Sequence, residues 1–310
     1  MKNALLLAVM LALGACGAIP VRNEPVLSSR KLSAPAAAPA PGSRTAAAPA
    51  AALPAARETR HQEGLRLARL LREQARFQAA VEVYSQLERD ALLSPLERLE
   101  YASTAAAVLP AQDALALFGR ARRELQRSGE ALSAAASISL CGGLGRARLG
   151  LDQADAALED FDCVLRLAPD DVAALNGRGV ALDALDRHEE ARAAFARALA
   201  LDPADLRVLN NLALSWLASG NGAEAIRLLK QAGVAGLPTA RLNLALAYLL
   251  EGDAAQGRRT LDALLPPRVA AQAWQALEAH GARIRAGASV NAELMAASRE
   301  IVALREAARP

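Results

Sequence analysis

From residue 57 onward, apolar positions recur at helical spacing, and no stretch alternates as a strand would. The clearest case is 172–205, VAALNGRGVALDALDRHEEARAAFARALALDPAD. Leu175, Gly179 and Leu182 fall at i, i+4 and i+7 and so share one face of a first predicted helix. DRHEE breaks the apolar pattern and predicts a turn. Ala191, Phe195 and Ala198 then line one face of a second helix. Gly179 and Ala191 are small enough to let two backbones approach, with Phe195 filling the space beside them. Asp202-Pro203 ends the unit, because proline disfavours helix at the residue before it. Neither helix buries its face alone, so such pairs must stack on neighbours.

The unit repeats. Gly145/Gly179, Phe161/Phe195, Pro169/Pro203, Asn176/Asn210 and Ala191/Ala225 are each 34 apart, as are Ala80/Ala114 and Tyr84/Phe118 upstream. Downstream the step shortens to 32, in Asn211/Asn243, Trp216/Tyr248 and Gly220/Gly252. The register predicts units at about 61–94, 95–128, 138–171, 172–205, 206–237 and 238–271, with 129–137 inserted. Residues 268–280 and 289–308 read as further helices that close the stack.

Leu175, Gly179, Leu182, Ala191, Phe195, Ala198 and Pro203 resemble the tetratricopeptide repeat. Departures are Leu175 where that repeat usually has Trp, and Arg178 where Leu is usual. The resemblance implies an all-α superhelical solenoid: degenerate helical repeats over 57–137, tetratricopeptide repeats over 138–271 and capping helices over 272–310. It also implies a groove lined by the first helices and used to bind a protein or peptide partner. In this register Asn176, Val180, Asp183, Arg207, Asn210, Leu214 and Leu217 face the groove. Asn211 and Asn243 occupy a repeat position where asparagine serves packing.

The N-terminus has a different pattern. In MKNALLLAVMLALGAC, Lys2 precedes an apolar run from Ala4 to Ala15. As helix, that run covers about 18 Å, short of the ~30 Å hydrocarbon core, and fits a secretory signal over 1–15. Leu13-Gly14-Ala15-Cys16 resembles the bacterial lipobox, which implies cleavage before Cys16 and acylation of its thiol and new amine. Several acyl chains anchor a protein durably where one does not. By the same resemblance, Gly17 implies sorting to the outer membrane, with the chain on its periplasmic face. Residues 16–56 then form a Pro- and Ala-rich segment whose prolines at 35, 39, 41, 49 and 54 interrupt helix. It reads as a disordered tether with a reach of roughly 100 Å at ~3 Å per residue.

Charge excludes one class of partner. Of 36 basic and 33 acidic residues, Lys2, Arg22, Arg30, Lys31, Arg44 and Glu24 precede residue 57. The remaining 31 basic and 32 acidic residues leave the folded part near neutral. With no basic stripe interleaved with aromatics, nucleic acid is not an expected partner. His61, His188 and His280 fall in separate units, His188 in a solvated turn, so no metal site is expected. CGGLGRARLG (141–150) lacks the phosphate-loop Lys, and no strand precedes it. No Ser-His-Asp grouping suggests itself, and the reading is a non-enzyme without cofactor. Cys141 is expected inward and Cys163 partly outward, which favours two half-buried thiols over a disulfide and leaves the pairing open.

Residues 208–261, with NNLAL and ARLNLALAYLLEGD and the 32-residue step, look like the TadD family of tight-adherence (Flp) pilus assembly lipoproteins. Leu237-Pro238 departs from that pattern, and 57–137 does not align with it. The resemblance implies assembly or localisation of the pilus secretin at the outer membrane. The alternatives are another tetratricopeptide lipoprotein, such as a type IV pilus pilotin or a scaffold for cell-wall hydrolases.

Overall fold

A computed structural model describes residues 52–129 and 131–307. The signal segment, Cys16 and nearly all of the tether lie outside the described residues. Every regular element among the described residues is a helix. The chain divides into two compact units, which meet between Leu92 and Leu93.

The first unit is a hairpin of α1 (Ala52–Glu73) and α2 (Phe77–Arg89). Helix α1 starts inside the segment read as tether. Pro54 lies in its first turn, where a missing N–H breaks no helical bond. Gly64 brings the hairpin together: a Cβ there would lie 2.7 Å from Leu87 Cδ2. Arg57 ties the far end by donating to the Ala91 carbonyl at 3.0 Å.

The second unit stacks six pairs. These are α3 (Pro95–Ala105) with α4 (Ala111–Ser128), α5 (Ala134–Leu149) with α6 (Ala154–Leu167), and α7 (Val172–Ala184) with α8 (His188–Leu201). They continue as α9 (Leu206–Ala218) with α10 (Gly222–Val234), α11 (Pro238–Leu250) with α12 (Ala254–Asp262), and α13 (Pro267–Arg285) with α14 (Val290–Ala307).

Local chemistry sets the ends. Ser94 and Glu97 form a capping box at α3, and the Asp171 and Asp205 carboxylates cap α7 and α9. The turn inside four successive pairs has one residue at positive φ: Asp152 (58°), Asp186 (59°), Gly220 (80°) and Gly252 (85°). Asp and Gly tolerate this conformation better than other residues do, so the turns are short. The turn after α7 is Leu185–Arg187, and His188 already opens α8.

The pairs are locked by aromatic pegs. Phe118, Phe161 and Phe195 are fully or almost fully buried. A Cβ at Gly143 would meet Phe118 Cζ at 2.1 Å, and one at Gly177 would meet Phe161 Cζ at 2.4 Å. Phe118 and Phe161 thus fill slots that glycine opens in the next first helix, whereas Phe195 fills the slot at Gly179 of its own pair. Cations overlie aromatics at two later junctions, Arg192 at 4.2 Å from the Trp216 ring and Arg258 at 4.9 Å from Trp274. First helices touch their counterparts in the next pair, whereas second helices contact chiefly the flanking first helices. That asymmetry puts the first helices on the inner side of the stack.

One expectation is overturned. Cys141 on α5 and Cys163 on α6 form a disulfide, with Cα atoms 6.2 Å apart. Both residues are half-buried, so Cys163 turns toward α5 and not away from it. The spacing of two residues along a repeat does not report the crossing of the helices that carry them.

Beside the disulfide, Arg148 Nη1 donates to Asp160 Oδ2 at 2.8 Å. Burial pushes the Asp160 carboxyl up to about 6 against this pairing, from an ordinary value of 3.8. The folded chain therefore tolerates the ionised form less well than the unfolded chain does. The stabilising contribution is complete below 3.8 and is lost as pH rises through about 6. Asp160→Asn cannot ionise, so its melting temperature relative to wild type should rise between pH 4 and pH 7. Thermal unfolding at the two pH values checks this, and a constant difference would refute it.

Candidate partner-binding face

The residues expected to face the groove lie on α7 (Asn176, Val180 and Asp183) and α9 (Arg207, Asn210, Leu214 and Leu217). Arg207 is exposed and pairs with Asp205 at 2.9 Å, and Asn176 is half-buried. Val180, Asp183, Asn210, Leu214 and Leu217 are buried by the chain itself.

Much of the polar part is spent on holding first helices together. Asn243 Nδ2 donates to Asn210 Oδ1 at 2.9 Å, and Asn211 Nδ2 donates to Asn176 Oδ1 at 2.9 Å. Asn210 Nδ2 joins the two by donating to Asn211 Oδ1 at 3.4 Å. A side-chain amide both donates and accepts, so a chain of amides links α11, α9 and α7. Asn211 and Asn243 therefore act in packing.

A second contact was not legible in the sequence. Asp183 lies 2.8 Å from His188 Nδ1 and accepts the Ser215 hydroxyl at 2.8 Å. His188 is thus paired, not solvated. These are the residue types of a hydrolytic triad, but they are wired differently. Ser215 is wholly buried and bonds to the carboxylate, so no imidazole stands ready to take its proton. The group braces α7, α8 and α9. Burial raises the Asp183 pKa, while the bonds from His188 and Ser215 act in the opposite direction.

The inner face changes character along the stack. At the three successive groove positions, α7 presents Asn176, Val180 and Asp183, whereas α11 presents Leu242, Leu246 and Leu249. On α5 the middle position is Arg146, which reaches solvent. Desolvation by surrounding protein still lowers its pKa, with Asp171 opposing. Toward the polar end Arg146 is exposed and Asn176 half-buried, and the leucine-rich end is covered. Helix α14 packs against α13 and also touches α11 and α9. Its Leu294, Ala297 and Ile301 are nearly fully buried in one apolar cluster with Leu214, Leu217 and Leu246. The helix expected to cap the end of the stack packs on α13 and also turns back across first helices.

Among the described residues, no group of three or more His, Cys, Asp or Glu side chains is placed to hold a metal ion. No helix there is long and apolar enough to cross a membrane.

The tetratricopeptide-repeat family model matches residues 143–205 and 182–238. No curated protein matches the chain. Among solved structures, a tetratricopeptide repeat protein from Parabacteroides merdae superposes with TM-score 0.55 at 15% identity, over 80% of this chain and 98% of that one. A thermophilic tetratricopeptide protein of Thermus thermophilus gives 0.47 at 20% identity, over 61% and 99%. MamA from Desulfovibrio magneticus gives 0.46 at 17% identity, over 57% and 94%. The chain carries tetratricopeptide repeats over residues 143–238, within an all-helical stack of tetratricopeptide-repeat fold.

Proposed function

We propose that this protein is a non-enzymatic scaffold of the bacterial envelope, anchored by acylated Cys16 to the periplasmic face of the outer membrane. Its repeats would hold a protein partner in assembly of a tight-adherence pilus, with the pilus secretin as the partner. The observation that carries the scaffold reading is the row of first helices forming one inner face, the surface on which such stacks hold peptides and helices.

Two features support the envelope part. The apolar run ending in Leu13-Gly14-Ala15-Cys16 has the form of a lipoprotein signal. The Cys141–Cys163 disulfide suits an oxidising compartment, since such bonds persist there and are rare in the cytosol. The pilus part rests on the likeness of 208–261 to the TadD family.

A deletion strain complemented with wild type or Cys16→Ser tests both parts. Wild type should restore heat-resistant secretin multimers and incorporate labelled acyl chains. Cys16→Ser should lose the label and release the domain from membranes. Normal multimers in the uncomplemented strain would exclude the secretin role. Membrane retention of Cys16→Ser with unchanged processing would exclude the anchor.

A further inference from the structure

The apolar stripe of α14 reads Val290, Leu294, Ala297, Ile301 and Leu304, with steps of 4, 3, 4 and 3. That is the narrow seam of a helix made to lie along other helices. Its three central residues are 3%, 2% and 1% exposed. A helix that only closed the stack would need to cover α13. Helix α14 reaches α9, two first helices further back. Packed helices lie 8–10 Å apart, so two steps span roughly 20 Å. A helix of 18 residues is about 27 Å long and bridges that distance.

The surface beneath it is built for such a guest. Where α7 offers an amide and a carboxylate, α9 and α11 offer Leu214, Leu217, Leu242 and Leu246. Left open to water, these would form a contiguous apolar patch of the kind that marks an interaction site. The guest is held at its margin by polar ties to α13. Glu293 lies 2.6 Å from His280 Nδ1 and 2.8 Å from Arg283 Nε. The link to α13 is only Ala286–Ser289, with Gly287 at φ 94°.

We propose that the inner face of α9 and α11 is a docking site for an amphipathic helix of a partner protein, and that α14 is its intramolecular stand-in. The partner helix carries aliphatic residues at i and i+7 around a small residue at i+3, as Leu294, Ile301 and Ala297 do. The small central residue lets the two backbones approach, and the partner displaces α14. This rests on the scaffold reading but on neither the anchor nor the pilus.

The test uses the full chain with a site-specific protease sequence inserted between Gly287 and Ala288. The probe is a fluorescein-labelled peptide of residues 288–307, followed by anisotropy. In the uncut chain, tethered α14 competes at millimolar effective concentration and peptide binding is weak. After cutting and dilution, α14 should exchange, and the apparent Kd for the probe should fall at least tenfold. A probe carrying Ala297→Glu and Ile301→Glu should not bind. The proposal is overturned if the cut fragment never exchanges over a day, if cutting unfolds the stack, or if both probes bind alike. Dimers that trade α14 between copies would assign the face to a second copy and also overturn it. Each of these outcomes is independent of secretin multimers and acylation, so the two proposals fail separately.

Discussion

Phe195→Ala should destabilise the stack by about 3–5 kcal/mol, the usual cost of emptying a large aromatic site in a close-packed core. Phe195 is completely buried on α8, and a Cβ at Gly179 of α7 would lie only 2.5 Å from its Cε1. The ring is thus the contact surface between the two helices of the pair. The effect should spread, because each pair in a linear stack is stabilised by its neighbours. The same geometry predicts a reversal of sign. In wild type, Gly179→Ala drives a methyl group into the ring and destabilises. In the Phe195→Ala background the space is empty, and alanine exceeds glycine in helix propensity by about 1 kcal/mol, so the same change stabilises. Urea unfolding of the four proteins measures this coupling. If Gly179→Ala shifts the midpoint in the same direction in both backgrounds, the peg does not work as described.

Removing the Cys141–Cys163 disulfide should cost nearly as much. The bond closes a separation of 22 residues, for which loop-closure entropy gives about 3 kcal/mol of lost stability in the reduced or substituted chain. The bond clamps α5 to α6, the pair at which the family-model match begins. The double variant Cys141→Ala/Cys163→Ala should unfold at lower denaturant than oxidised wild type and be insensitive to reductant. Wild type should fall to nearly the same midpoint when reduced. Equal midpoints for the oxidised wild type and the double variant, together with two alkylatable thiols at 141 and 163, would rule the bond out.

The fold class was readable because the repeat is written in residue sizes. Gly179, Ala191 and Phe195 recur at fixed spacing because a slot and a peg must recur wherever the two helices of a pair meet. Turn chemistry adds to the signal, as at Asp186 and Gly220, which share a left-handed backbone at equivalent places. Contacts that do not repeat left no such trace. Ser215 meets Asp183 across 32 positions, and nothing in either neighbourhood marks the pairing. His188 reads as a turn residue because DRHEE breaks the apolar pattern, yet it opens α8, and the carboxylate beside it comes from α7.

The candidate face divides along the same line. That the first helices carry it follows from the period, and its drift from Asn176 and Asp183 to Leu242 and Leu246 is visible in the letters. The seam of α14 is also visible, as a run of 4 and 3 steps. Its destination is not. A hydrophobic stripe states that a helix must be covered, but burial is non-directional, so any apolar surface within reach of the Ala286–Ser289 link could serve. The sequence alone therefore determined helices, pairs and period, all of which depend on neighbours within one unit. Only the tertiary structure decided that Cys141 meets Cys163, that Ser215 meets Asp183, and that α14 lies back on α9 and α11. Those contacts depend on crossing angles and on the path of the chain in space, which residue spacing does not encode.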